Sequence, residues 1–399
     1  MASKSQNGSS RDGAIAAITS DINKYMKMGN VVFDLGKENP LKVKHWFSTG
    51  IPTLDVCLRG KYFDEECGNG GIPAGRVVRI DGESGGGKSL LGWSILSDCV
   101  KKGGIGIYFD IERALTEEFA GKIQIPEHGV IIAPHIKTIE KIFMASQVFV
   151  TKFAQLDEIP PHGVIVIDSV QSMMTEDMMA DEEIIGGQNF GRKAKLMGEF
   201  LQKLLPYLDQ YNITLVLVNQ LRTNINKKTP YDDDWIVPTS NAQEFYSQII
   251  MRVYKSSTVK VDKIVVGQTL RVVVKKSRYT GPHKEVKVDL LFESGLQNEK
   301  SMLDALKALN LVSSAGSKGS KINVDGEEFT FKADDFKDIY RSNKKVQEWT
   351  IKQIESTYNN GSGWFQADQD LEGKDIINAA KKGDLTGLID IGIDLENKE

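Results

Sequence analysis

The chain has 399 residues, of which 40% are hydrophobic and 26% are charged, so it can bury a substantial core and is not disordered as a whole. Fifty basic residues oppose 54 acidic ones, and the net charge of -4 excludes a uniformly basic nucleic-acid binder but allows a local basic groove. The three cysteines form no C-x-x-C pair and no apolar run is long enough to cross a membrane, which together predict a cytoplasmic protein with free thiols and no membrane partner.

The N-terminal part of the chain divides into two predicted segments. Residues 1–13 are rich in Ser, Gly and Asn, which predicts disorder. In residues 14–48, Ile15, Ile18 and Ile22 recur at three- and four-residue steps and predict an amphipathic helix, with a short strand following at 31–33. This helix either packs on its own core or is an arm that docks on a neighbouring subunit.

Residues 49–296 alternate between short β-rich runs and helical stretches. Several runs are apolar almost throughout, as is typical of strands that are covered on both faces. The alternation predicts an α/β core with a mostly parallel central sheet. The predicted strands are Val77–Ile80, Ile105–Asp110, Val130–Ala133, Val164–Asp168, Thr214–Asn219, Ile249–Val253, Leu270–Val274 and Val286–Leu291.

Two further segments follow this core. Short helices and turns rich in Gly, Ser and Lys predict a small α+β domain over residues 297–383. Residues 384–399 contain five carboxylates and one lysine, which predicts a solvated acidic tail.

The run Gly82-Glu83-Ser84-Gly85-Gly86-Gly87-Lys88-Ser89 fits the phosphate-loop pattern G-x-x-x-x-G-K-[ST] at every position. A predicted strand precedes it and a predicted helix follows it, so backbone N–H groups would converge on phosphate oxygens at a helix N-terminus. Lys88 would place a charge on the β- and γ-phosphates, and the Ser89 hydroxyl could ligate Mg²⁺. We therefore predict an ATP site that uses Mg²⁺.

Two carboxylates complete this predicted site. Asp168 ends the apolar run that begins at Val164, where a carboxylate can hold the Mg²⁺ shell. Glu112 follows the strand Ile105–Asp110 and would emerge at the carboxyl edge of the sheet, where ligands bind in open α/β folds. Glu112 is therefore the candidate for activating the attacking water, although position alone equally allows a surface salt bridge.

The combined pattern resembles the RecA family of ATP-dependent homologous recombinases, including its UvsX-type phage members. The chain departs from the family in the apparent insertion Lys61–Gly70 and in the second candidate DNA loop, where Thr239-Ser240 replaces a glycine pair and Tyr231–Trp235 looks inserted. The motifs that carry the resemblance occur in the family's order: Ser48-Thr49-Gly50, Gly71–Arg76, the phosphate loop, Asp110–Leu115, Ile167–Val170, Val218–Arg222, Asn241-Ala242 and Lys276-Ser277-Arg278.

The resemblance implies roles for individual residues of the nucleotide site. Glu112 would orient and deprotonate the hydrolytic water, and Gln220 would sense the γ-phosphate. Phe119 occupies the position of the aromatic residue that stacks on adenine. Lys276 and Arg278 would reach into the neighbouring subunit's nucleotide and stabilise transition-state charge, although both would otherwise be read as an exposed basic strand end.

The stretches 182–195 and 222–243 are candidate DNA-binding loops. Glycines allow the backbone to adapt, an aromatic residue can stack on bases, and cations contact phosphates. A loop as long as 222–243 also favours a function. The candidate DNA-binding residues are Gly186, Gly187, Phe190, Arg192, Lys193 and Lys195 in the first loop, and Arg222, Ile225, Lys227 and Lys228 in the second.

We therefore expect a DNA-dependent ATPase that forms helical filaments on single-stranded DNA and catalyses homologous pairing and strand exchange. The resemblance implies single- and double-stranded DNA, copies of the same chain, and single-strand-binding and mediator proteins as partners. Two alternatives stay open at this point: a hexameric helicase with the same core, which would form closed rings, and a mediator paralogue that hydrolyses little ATP.

Overall fold

The computed structural model describes residues 6–26, 32–35, 37, 42–116, 120–121, 125–180, 190–224, 235–238 and 241–359. The chain divides into two compact units, Met1–Lys44 and His45–Glu399. The finer segments 14–48, 49–296 and 297–383 stay predictions, and the predicted tail at 384–399 lies outside the described residues.

The first unit contains helix α1, which spans Gln6–Met26. Residues 6–13 are therefore helical rather than disordered, because helix formation is cooperative and extends from the apolar stripe into the residues before it. Asn23, in the last turns of the helix, contacts the segment after it: the Asn23 side-chain amide donates to the Val32 carbonyl at 2.8 Å and accepts from the Val32 N–H at 2.9 Å. The predicted strand is not formed in residues 32–35.

The helices of the second unit lie between strands or in its C-terminal part. Three 3₁₀ turns accompany them in the described residues, at Val170–Ser172, Gly316–Lys318 and Ala333–Asp335. The helices are α2 (Pro52–Arg59), α3 (Lys88–Lys101), α4 (Ile139–Phe153), α5 (Glu176–Ala180), α6 (Phe190–Gln210), α7 (Asn241–Tyr246), α8 (Asn298–Ala308), α9 (Phe336–Ser342) and α10 (Lys344–Asn359).

The strands of the second unit form four sheets within the described residues. The strands are β1 (Trp46–Phe47), β2 (Ile72–Pro73), β3 (Val77–Gly82), β4 (Ile105–Asp110), β5 (Val130–Ile132), β6 (Gly163–Asp168), β7 (Ile213–Gln220), β8 (Arg222–Thr223), β9 (Trp235–Ile236), β10 (Ser247–Val261), β11 (Ile264–Ser277), β12 (Lys284–Leu291), β13 (Gly295–Leu296), β14 (Ser313–Ser314), β15 (Ser320–Val324) and β16 (Glu327–Phe331).

The central sheet has the order β13-β12-β11-β10-β3-β7-β6-β4-β5. The strands from β10 to β5 are parallel to their neighbours, which confirms the predicted α/β class and the mostly parallel sheet. The other edge is antiparallel, because β10 and β11 form a hairpin whose turn residues Asp262 and Lys263 have φ values of 49° and 69°. Both hairpin strands are longer than their predicted apolar runs.

Helices cover both faces of this sheet. One buried cluster includes Leu91 and Leu96 of α3 against Val166 and Val218, and the other includes Leu201 and Leu208 of α6 against Leu217. Each strand therefore buries alternate residues on opposite faces, which explains why these runs are apolar throughout.

The C-terminal part has its own smaller core. The sheet β14-β15-β16 packs with α8, α9 and α10 around Leu306, Phe331, Phe336 and Trp349. The Lys61–Gly70 insertion contacts the same part, since the Phe63 N–H donates to the Glu355 carboxylate at 3.2 Å.

In the part of the chain that the structure describes, no helix combines the length and the apolar character that crossing a membrane requires.

Candidate nucleotide site and nucleic-acid interface

The phosphate loop joins β3 to α3 at the carboxyl edge of the parallel strands. Gly87 caps the helix in the left-handed region with a φ of 90°, and Gly85 has a φ of 70°. Side chains would be strained at these positions, and a Cβ on Gly82 would lie 2.6 Å from the Val253 carbonyl oxygen. The glycines of the motif are therefore required by the backbone path of the loop.

Strand β11 supports the loop from the side. The Gln268 side-chain amide, which is buried, donates to the Gly85 carbonyl at 2.8 Å. A Cβ on Gly87 would lie 2.9 Å from Leu270 Cδ1. Gln268 could not be predicted as a loop contact from the sequence, because only the hairpin topology brings β11 next to the loop.

Lys88 begins α3, and its ammonium donates to the Glu83 carbonyl at 2.7 Å across the loop. Burial lowers the pKa of Lys88, and the nearby carboxylates of Asp168 and Glu112 oppose that shift. The structure therefore brings Lys88, Asp168 and Glu112 together as the motifs predict.

Asp168 ends β6 and is buried, and burial raises its pKa. The Ser89 hydroxyl hydrogen-bonds to this carboxylate, and the Tyr108 hydroxyl donates to its Oδ2 atom at 2.5 Å. Tyr108 lies on β4 and stacks on Trp93 of α3, with ring centroids 3.8 Å apart. The role of Tyr108 was not predictable from the sequence, because an aromatic residue inside an apolar strand usually belongs to the core.

Hydroxyl and carboxylate oxygens are the ligands that Mg²⁺ prefers, so the Ser89 and Asp168 pair fits this ion chemically. The pair also lies at the phosphate loop, where the phosphates of a bound nucleotide would supply further oxygen ligands.

Glu112 lies in the segment after β4, and hydrogen bonds to Asp110 hold that segment in place. The Asp110 carboxylate accepts from the backbone N–H groups of Ala114 and Leu115 at 3.0 and 3.1 Å. The Glu112 Oε1 atom accepts from the hydroxyls of Ser169 and Ser172, the second at 2.9 Å. The carboxylate is therefore held at the sheet edge, beside the end of β6.

Gln220 ends β7, which lies between the phosphate-loop strand β3 and β6 in the sheet. Its backbone N–H donates to the Gln171 Oε1 atom at 2.8 Å. The preceding residue, Asn219, is buried and donates to the Asp81 and Gln243 side chains at 3.2 and 3.0 Å. Sequence, sheet order and contacts therefore place Gln220 beside the nucleotide site.

Lys276 and Arg278 lie toward the amino ends of the parallel strands, whereas the phosphate loop lies at their carboxyl ends. Lys276 pairs with Ile250, which in turn pairs with Arg79 near the start of β3. The Lys276 ammonium donates to the Glu244 carbonyl at 2.7 Å, and burial followed by the charge of Arg278 lowers the pKa of Lys276. The structure therefore does not bring this pair to the phosphate loop of its own chain.

The candidate DNA-binding cations of the first loop lie on helix α6 rather than in a loop. Arg192 forms an ion pair with Asp177, and Lys195 lies 3.9 Å from Glu199 one turn further on. The Lys193 ammonium donates to the carbonyls of Gln171 and Met173 at 2.9 and 2.7 Å.

In the second loop, Arg222 is exposed and belongs to a short ribbon in which it pairs with Ile236. Residues 222–243 thus contain two strands that the sequence did not predict. The predicted residues Phe119, Gly186, Gly187, Ile225, Lys227 and Lys228, the side chain of Phe190, and the departures at 231–234 and 239–240 lie outside the described residues.

These features define a class of protein. A phosphate loop, a buried aspartate that is hydrogen-bonded to the loop serine, and a glutamate on the adjoining strand end occupy one edge of a mostly parallel sheet. This arrangement is that of a P-loop ATPase with a RecA-like core.

Comparison with known proteins agrees with this class. The family model described as the RecA N-terminal domain matches residues 13–297. The chain is 27% identical over 307 residues to Protein RecA of Leptospira meyeri, covering 77% of this chain and 74% of that protein. It is 28% identical over 303 residues to Protein RecA of Clostridium acetobutylicum, covering 76% of this chain and 80% of that protein.

The chain belongs to the RecA family. It is a recombinase of DNA recombination and repair and a DNA-dependent ATP hydrolase. The resemblance, the fold class and the enzyme class predicted from the motifs are thereby confirmed.

Proposed function

We propose that this chain forms helical filaments on single-stranded DNA and couples ATP hydrolysis at subunit junctions to homologous pairing and strand exchange. The observation that carries this proposal is the separation, within one chain, of the phosphate loop from the basic strand end at Lys276 and Arg278. A site that is incomplete in one subunit and completed by the next makes hydrolysis depend on assembly.

Within one subunit, we assign the chemistry to residues at the carboxyl edge of the sheet. Lys88 binds the β- and γ-phosphates, and Glu112 takes a proton from the attacking water while the hydroxyls of Ser169 and Ser172 hold its carboxylate in place. Ser89 and Asp168 would hold Mg²⁺, which when bound neutralises developing charge on the phosphate oxygens.

Gln220 is assigned as the sensor of the γ-phosphate. It ends the strand between the phosphate-loop strand and β6, so its side chain can respond to nucleotide while its backbone leads directly into the second candidate DNA loop. This arrangement supports the proposal that a change at the γ-phosphate reaches the second candidate DNA loop through the few residues that follow Gln220.

Lys276 and Arg278 are assigned to the nucleotide of the neighbouring subunit. Gln268 of β11 contacts the phosphate loop, and Lys276 lies eight residues further along the same strand. At the rise of a β-strand this is roughly 26 Å, several times the reach of a lysine side chain. The two cations therefore act on an adjacent chain or do not act in hydrolysis.

Helix α1 is assigned as the arm that docks on a neighbouring subunit. Of its stripe of apolar residues, Ile18 is 60% exposed and Tyr25 is 86% exposed. Exposed apolar side chains at helical spacing favour a surface that a partner subunit can cover. A cytoplasmic location and contacts with single-strand-binding and mediator proteins remain predictions from the sequence.

The proposal is tested by electron microscopy of the protein with single-stranded DNA and a non-hydrolysable ATP analogue, together with an ATPase assay and a strand-exchange assay. We expect open helical filaments, hydrolysis that DNA stimulates, and pairing of homologous strands. The Lys88→Ala variant should hydrolyse no ATP. Closed rings that unwind forked duplex would instead favour the helicase, and filaments without hydrolysis would favour the mediator.

A further inference from the structure

The 3₁₀ turn Val170–Ser172, directly after the Asp168 strand, contacts the side chain of one candidate catalytic residue, Glu112, and the backbone of the other, Gln220. On one side, the Ser172 hydroxyl donates to Glu112 at 2.9 Å. On the other side, the Gln171 Oε1 atom accepts from the Gln220 N–H at 2.8 Å. One turn of three residues therefore lies between the proposed base and the proposed γ-phosphate sensor.

The orientation of the Gln171 amide is determined by its buried neighbour Asn219. The Asn219 Nδ2 atom donates to Asp81 and to Gln243, so its Oδ1 atom must be the acceptor toward Gln171. The Gln171 Nε2 atom donates to that oxygen at 3.2 Å, which leaves the Gln171 oxygen for the Gln220 N–H. The hydrogen bond to Gln220 is therefore specified by the surrounding network.

Lys193 joins the same turn to helix α6. Its ammonium donates to the backbone carbonyls of Gln171 and Met173, at the end of the turn where carbonyls have no partner within the turn. Burial, followed by the charge of Arg222, lowers the pKa of Lys193 to about 8. Lys193 thus lies near the N-terminal end of α6, in the part of the first candidate DNA loop that is helical, with its ammonium directed toward the turn.

We propose that Gln171 is a positioning residue for ATP hydrolysis, which holds the backbone of Gln220, and that Lys193 links this turn to the N-terminal end of α6, where the first candidate DNA loop becomes helical. This inference rests on the proposed role of Gln220. A shift of the first turns of α6 on DNA binding is then transmitted through Lys193 to the turn, and from the turn to Gln220 and Glu112 together.

The turn does not need these two side chains in order to form. Its backbone has the bonds from Ser172 N–H to Ser169 O at 3.1 Å and from Met173 N–H to Val170 O at 3.4 Å. The side chains of Val170 and Met173 are buried in the core beneath it. We therefore expect variants at Gln171 to fold and to keep the turn.

The first test is Gln171→Met in the full-length chain, which keeps the side-chain length and removes both hydrogen bonds. Leaving the Gln220 N–H unpaired should lower the DNA-stimulated kcat about tenfold and leave KM for ATP within about twofold. The matched control is Gln202→Met, the same change at an exposed position of α6, which should leave both constants unchanged. If the methionine variant does not fold, Gln171→Glu retains an acceptor for the N–H and should give an intermediate kcat.

A double-mutant cycle separates positioning from a general structural effect. If Gln171 acts through the Gln220 side chain, Gln171→Met should have little further effect on kcat in a Gln220→Ala background. Additive losses in the two variants would overturn the positioning role. A wild-type kcat in Gln171→Met would also overturn it.

Lys193→Met tests the link to the DNA side. We expect the stimulation of hydrolysis by single-stranded DNA to fall by about fivefold or more, with the salt dependence of DNA affinity unchanged. A lysine that contacts a DNA phosphate would instead reduce the slope of log affinity against log salt by about one when it is replaced. A reduced slope with normal stimulation would overturn the link.

The wild-type chain distinguishes failure of this inference from failure of the proposed function. If the wild-type chain hydrolyses ATP at the same rate with and without DNA, the proposed function fails. If wild-type hydrolysis responds to DNA and Gln171→Met behaves like wild type, only the positioning role is refuted.

Discussion

Replacing Lys276 and Arg278 together by alanine removes the basic end of β11 without touching the phosphate loop. The two sites are separated within one chain: Lys276 lies eight residues beyond Gln268, which contacts Gly85. That distance is roughly 26 Å along the strand. ATP binding by isolated subunits should therefore be little changed. Because the lost contact, from Lys276 to the Glu244 carbonyl, lies at an exposed site, the free energy of unfolding should change by only about 0.5 kcal/mol.

The effect on hydrolysis should be much larger. Cations that are supplied in trans to a transferring phosphoryl group contribute roughly 10³–10⁵-fold to kcat. The double variant should therefore lose DNA-stimulated turnover by about a thousandfold or more. The comparison to make is kcat with single-stranded DNA at saturating ATP, alongside nucleotide affinity measured without DNA.

A mixing experiment then tests the geometry. Lys88→Ala subunits retain Lys276 and Arg278, and subunits of the double variant retain the phosphate loop. Random head-to-tail assembly of an equal mixture places an intact pair beside an intact loop at about one quarter of junctions. Turnover should recover to a comparable fraction of the wild-type rate. No recovery at any ratio, despite demonstrated co-assembly on DNA, would refute action in trans.

Three further predictions concern the site and the core. Glu112→Gln should keep ATP and DNA binding and lower kcat at least about a hundredfold, and near-normal turnover would reject Glu112 as the base. Tyr108→Phe should lower the free energy of unfolding by about 1–3 kcal/mol and raise the Mg²⁺ concentration needed for hydrolysis, because Asp168 loses a donor in a buried site; denaturation and Mg²⁺ titrations that match the wild type would argue against this. Burial raises the pKa of Asp55 to about 7 from 3.8, so the contribution of this group to stability should be greatest below about pH 4 and fall by up to about 4 kcal/mol as pH rises from about 4 to 7. Asp55→Asn should remove this component in denaturation series between about pH 4 and 8, and an unchanged slope would contradict the assignment to Asp55.

The sequence by itself determined the parts of this protein that depend on local chemistry. The phosphate loop was predictable because its glycines, lysine and serine are consecutive residues whose spacing serves one backbone path. The strands ending at Asp110 and Asp168 were predictable because burial on both faces requires continuous apolar runs. Family, fold class and enzyme class follow from these motifs in their order.

The tertiary structure decided which distant residues meet. Lys193 lies in a basic stretch that is typical of DNA contacts. Only the packing of α6 brings its ammonium to the carbonyls of Gln171 and Met173. In the sequence Tyr108 is one more apolar residue of a buried strand. The pairing of β4 with β6 in register is what brings its hydroxyl to Asp168. The position of Lys276 far from Lys88 depends on the antiparallel hairpin. Such contacts join residues that are far apart in sequence, and local pattern carries no information about which strands become neighbours.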